Sequence, residues 1–161
     1  MSINTDAYLS FGVAYPMEYE FPWAKERYEQ DLEEWYYAEV DPDPTPGSAS
    51  PSGSHIDAYY KRKRAWKKVH PMPVRAVDYC SASQPGFILA VPSTEIWAYR
   101  GYPSPVERLP EPTPEEVERL LAFLQRWCPL ADEDVGYDAW LPDTGAEAMV
   151  PRWWLSSSTD Y

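Results

Sequence analysis

Hydrophobic and polar positions alternate first over residues 6–15. Tyr8 and Leu9 begin the segment, and Phe11, Val13 and Tyr15 share one face by the period of two, which predicts a strand. Gly12 interrupts the pattern and marks a bulge or a close backbone approach. The period changes after Pro22. Ala24, Tyr28, Leu32 and Trp35 recur at helical spacing, predicting a helix from about Trp23 to Ala38 with acidic outer faces. Residues 41–54 hold four prolines, two glycines and four serines and nothing to bury, so they read as a mobile loop.

A second helix is expected over 55–70. Ser54 suits its cap, Asp57 its first turn, and Pro71 and Pro73 end it. Ile56, Tyr59, Tyr60, Trp66 and Val69 make a loose apolar stripe along it. Residues 74–99 read as three strands. Val74 and Val77 open one that ends near Cys80, and Ser81–Gly86 is a turn on the strength of Pro85-Gly86. The run Phe87–Val91 is apolar throughout, as in a strand covered on both faces. Pro92-Ser93 breaks it, and Glu95–Tyr99 follows as a short strand closed by Gly101 and Pro103.

The third helix carries the sharpest signal. Thr113 caps it, Pro114 takes the first position, and Glu116 completes a capping box. Val117, Leu120, Leu121, Leu124, Trp127 and Cys128 keep the three-four rhythm until Pro129. A last strand runs from about Arg152 to Ser157. The order strand, helix, helix, three strands, helix, strand predicts an α+β fold: a mostly antiparallel sheet of about four to five strands with about three helices packed against it. Its 161 residues suit a single domain, with the 41–54 loop inside it.

Composition adds that the chain can build a core: 44% of residues are hydrophobic and 16% aromatic, with eight Trp and thirteen Tyr. The start lacks a basic segment followed by an apolar run, and no apolar stretch is long enough to span a membrane, so a cytoplasmic protein is expected. Cys80 and Cys128 are then expected to be reduced and buried.

Charge is distributed in three blocks. The formal net charge is −12, with sums of −9 over residues 1–54, +6 over 55–76 and −9 over 77–161. The acidic blocks supply Glu26, Glu29, Glu33 and Glu34 on the first helix and Asp132, Glu133 and Asp134 in a loop, a candidate surface for a basic protein partner. The basic block offers the competing surface: Lys61, Arg62, Lys63, Arg64, Lys67 and Lys68 beside Tyr59, Tyr60 and Trp66, the pairing of cations with stacking groups that suits nucleic acid. The structural alternative is a basic helix neutralised by the chain's own acids.

Catalytic and metal signals are thin. Asp132-Glu133-Asp134 lacks the glycine and distal glutamate of a calcium loop, and His55 and His70 stand at no zinc spacing. Phosphate loops and nucleophile elbows are absent, so no cofactor is expected. Cys80 could form a nucleophile pair with a histidine only if the fold joined them.

Tyr-Leu-Ser-Phe-Gly-Val at 8–13, Phe-Ile-Leu-Ala-Val at 87–91, Arg-Gly-Tyr-Pro at 100–103 and Trp-Trp-Leu-Ser-Ser at 153–157 resemble segments of small uncharacterised bacteriophage proteins. The resemblance covers core strands and transfers no activity. It implies an accessory phage product acting in the host cytoplasm. The leading functional expectation is an acidic protein-binding module, an inhibitor of a host or rival macromolecule. Nucleic-acid binding through 55–70 is the first alternative, and an enzyme of unrecognised type the second.

Overall fold

The computed structural model describes residues 4–24, 31–42, 56–81, 86–98, 105–131 and 145–160. The chain divides into two compact units: residues 1–22 with 73–161, and residues 23–72.

The first unit is a curled five-stranded sheet with helices, an α+β architecture as expected. Its strands are β1 (Asn4–Ala14), β2 (Arg75–Ser81), β3 (Gly86–Ala90), β4 (Ile96–Ala98) and β5 (Arg152–Asp160), in the order β3-β2-β5-β1-β4, with β3 also paired to β1. Strand β5 lies along one edge of β1 from Asn4↔Asp160 to Gly12↔Arg152. The other edge of β1 is shared by β4 at 7–9 and β3 at 12–14. Strand β2 pairs with β3 and, in parallel at Cys80↔Ser158 and Ser81↔Thr159, with β5, so the sheet closes on itself. The remaining pairings are antiparallel.

Strands β3 and β4 form one interrupted edge. The break that Pro92 and Ser93 predict is a 3-10 turn, Pro92–Thr94, and it would leave the polar backbone of Phe11 without ladder partners. The turn supplies both. Val91 N–H donates to Phe11 O at 2.9 Å, and Phe11 N–H donates to Thr94 Oγ1 at 3.1 Å. Thr94 is wholly buried, and its hydroxyl donates onward to Val91 O at 2.8 Å.

Gly12 is the close approach the sequence suggested. A Cβ there would overlap the Leu89 carbonyl oxygen, where β1 meets β3. Gly86 differs from expectation, because it opens strand β3 rather than sitting in the turn. The Tyr79 ring occupies the place its side chain would take, and the Tyr79 hydroxyl donates to Tyr15 O.

Ala14, Val77, Ile88 and Ala90 pack on one face of the sheet with Tyr8, Tyr79 and Trp154. Val13 and Leu89 face the other way and are fully buried. Tyr15 shares the Val13 face, and its hydroxyl donates to Cys128 O at 2.7 Å. That bond ties the sheet to helix α3 (Pro114–Trp127), whose Leu120, Phe123 and Leu124 are buried. The predicted capping box of Thr113 and Glu116 is present. Thr113 N–H donates to the Glu116 carboxylate, which holds that carboxyl below its ordinary pKa. Cys128 is fully buried, and burial pushes its thiol up to about 12, which keeps it protonated and unreactive. A short helix α4 (Gly145–Ala148) precedes β5 and had no sequence expectation. Strand β5 also runs three residues beyond the expected Ser157.

The second unit departs from one prediction. A single α-helix over 23–38 does not form. Asp31 is extended, its carboxylate accepts from Glu34 N–H, and helix α1 (Leu32–Trp35) starts there. The chain then widens into a π turn, Tyr36–Val40, closed by Asp41 N–H donating to Tyr36 O. Asp is a favoured N-cap residue, and here capping overrode the apolar spacing. Of the expected stripe, Leu32 and Trp35 are buried, Ala24 is exposed and Tyr28 lies outside the described residues. The expected basic helix is present as α2 (Ile56–Val69).

Candidate functional site

Helix α2 presents two faces of different character. Tyr59, Lys63, Trp66 and Lys67 are half-buried and fall on one side at helical spacing. Tyr60 and Val69, expected on the apolar stripe, are instead 51% and 75% exposed. Two lysines took part of the stripe because long aliphatic stems can cover apolar surface while the ammonium stays wet.

The half-buried side is anchored to residues 33–41. Lys67 forms an ion pair with Glu33 and lies over the Tyr37 ring, 4.9 Å from its centre. Burial lowers the Lys67 ammonium from its ordinary pKa, with the Asp31 charge opposing the shift. The Tyr37 hydroxyl donates to His70 O at 3.0 Å, and burial raises its pKa. The His70 ring stacks on Trp66 at 3.6 Å, and its Nδ1 lies 3.0 Å from Asp41 Oδ2. His70 N–H also donates to Trp66 O at 2.9 Å, which closes the helix end before Pro71. The internal-neutralisation alternative is therefore right for Lys67.

Among the described residues, the outer side has no such partners. Lys61, Arg64 and Lys68 stand at spacings of three and four, so they form one ridge along the helix. All three are exposed, as is Arg62 on the flank. Among the described residues, none of the four is in an ion pair. Tyr60 precedes Arg64 by one turn and meets Tyr59 edge-on at 5.4 Å. Asp57 is the one carboxylate on α2 and lies exposed one turn before Lys61.

The acidic candidates are not gathered in the same way. Glu33 is the partner of Lys67, and Glu34 is exposed, with its N–H at 2.9 Å from the Asp31 cap. Glu26, Glu29, Asp132, Glu133 and Asp134 lie outside the described residues, as do Ser54, His55, loop residues 43–54, turn residues 82–85, Tyr99, Gly101 and Pro103. The Cys80 side chain is likewise outside them, although its backbone is in β2.

Sequence reasoning missed Tyr37, Asp41 and the His70 contacts. The bonds of His70 to Tyr37 and Asp41 join residues some thirty positions apart, across the Pro/Ser loop, so no local spacing could reveal them. Among the described residues, no group of three or more His, Cys, Asp or Glu could hold a metal, and no helix is long and apolar enough to cross a membrane. No protein family, curated protein or solved structure matches this chain.

Proposed function

We propose that this chain is a nucleic-acid-binding protein and that the outer face of α2 is its contact surface. One observation carries the reading. The basic block is sorted: Lys67 is neutralised internally, while Lys61, Arg62, Arg64 and Lys68 point outward without an ion pair among the described residues. Such a ridge binds a polyphosphate by releasing its condensed counterions. The formal charge of −12 opposes binding over the whole surface. Acids farther from the ridge than the Debye length, about 8 Å at physiological salt, oppose it weakly. Binding through this face is therefore local and salt-sensitive.

The test is fluorescence anisotropy of labelled oligonucleotides with the full chain and with the triple variant K61Q/R64Q/K68Q. The expected result is binding at low salt that the variant loses by tenfold or more. Equal binding by both proteins would reject α2 as the surface.

A second reading is a phage-encoded inhibitor, an acidic module that occupies a basic surface of a host or rival protein. The charge of −12 and the exposed Glu34 and Glu39 favour it. Failure of every oligonucleotide to bind would promote it.

A further inference from the structure

We infer that the ligand of the α2 ridge is a single-stranded polynucleotide, with Tyr60 as a stacking platform for an unpaired base. The inference rests on the nucleic-acid reading above and names the substrate class of that site.

Position carries it. Tyr60 is 51% exposed and stands four residues before Arg64, so the ring and the ridge occupy one surface. Phosphate attraction alone would make the aromatic ring incidental, and an exposed tyrosine beside a cationic ridge has little to bury in water. Against a strand with free bases the two parts have separate tasks. Lys61, Arg64 and Lys68 follow the backbone, and the ring takes a base face, a contact that every base provides. A duplex keeps its base faces stacked and offers only edges in its grooves. The ridge from Lys61 to Lys68 is about 10 Å long at the helical rise.

Anisotropy titrations with three labelled probes of equal length test the inference: single-stranded DNA, single-stranded RNA and duplex DNA. The proteins are wild type, Tyr60→Ala, Tyr60→Phe and K61Q/R64Q/K68Q, each checked for an unchanged circular dichroism spectrum and melting temperature. Single strands are expected to bind at least tenfold tighter than duplex. Tyr60→Ala should weaken single-strand binding by about five- to hundredfold, the range of one lost base stack. Tyr60→Phe should retain it, and duplex binding should not change in either. A preference for RNA over DNA would assign a contact to the 2′-hydroxyl, and equal affinity would assign the site to either strand type. Duplex binding as tight as single-strand binding, or no effect of Tyr60→Ala, would overturn the inference while leaving α2 a nucleic-acid surface. No binding of any probe would defeat both.

Discussion

Helices α2 and α3 are each fourteen residues long, and they use their surfaces in different ways. Helix α3 buries Leu120, Phe123 and Leu124, is fixed at its start by a capping box and leads into a buried Cys128. Its place in the fold follows from apolar burial. Helix α2 has no fully buried residue among its described side chains, and its half-buried side includes two lysines. It is held by an ion pair, a ring stack and hydrogen bonds near its C-terminal end. Side-chain burial and the capping box account for the features of α3 that stand out in the sequence. The outer cations of α2 are left without an ion pair among the described residues, and the functional proposal rests on that remainder.

The largest effect expected separates the two helices. Leu124 is fully buried, so Leu124→Ala should destabilise the protein by about 2–5 kcal/mol in urea unfolding. Val69 is 75% exposed, and Val69→Ala should stay within about 0.5 kcal/mol. A comparable loss at Val69 would mean that the outer side of α2 is packed, and the contrast would fail. Next in size is Thr94→Val, which removes the acceptor for Phe11 N–H and should cost about 1–3 kcal/mol.

Smaller again is Thr113→Ala at the cap of α3, about 1 kcal/mol. The Glu116 carboxyl sits below its ordinary pKa in the folded chain, chiefly through the Thr113 N–H. Its contribution is thus present above the unfolded carboxyl pKa of about 4.3 and is lost as pH falls through the lower folded value. The stability gap between wild type and Glu116→Gln should therefore be seen at neutral pH and close in acid. Smallest is Glu33→Gln, which removes a partly exposed ion pair and should cost less than about 1 kcal/mol. It should leave oligonucleotide affinity unchanged, since Lys67 lies on the anchored side. Tighter binding on its release would place the contact surface on the wrong side of α2.

Local patterns made much of the sheet unit legible. The capping box, the three-four rhythm of α3, the break at Pro92-Ser93 and the close approach at Gly12 each reflect physics that acts over a few residues. Gly86 was misread because Pro85-Gly86 is a strong turn signal, whereas what requires glycine there is the Tyr79 ring from a neighbouring strand. The closure of β2 onto β5 joins residues about eighty positions apart and leaves no trace in periodicity. The basic candidate was visible as composition, but its division into anchored and outward residues was not. Lys63 and Arg64 are adjacent in the chain and differ only in which way the helix turns them. Likewise Tyr60 looked apolar by type, and only the placement of Tyr59, Trp66 and Lys67 on the inner side shows it outward.

The proposed function is polyphosphate binding by the exposed cations of α2. Its most direct test is the salt dependence of oligonucleotide affinity, measured for wild type and for K61Q/R64Q/K68Q. Three phosphate contacts to a single strand predict a slope of log affinity against log salt of about −2, or roughly a twentyfold loss from 50 to 200 mM. The triple variant should lose most of that slope along with its affinity. A wild-type slope near zero, or a slope the variant retains in full, would contradict the claim.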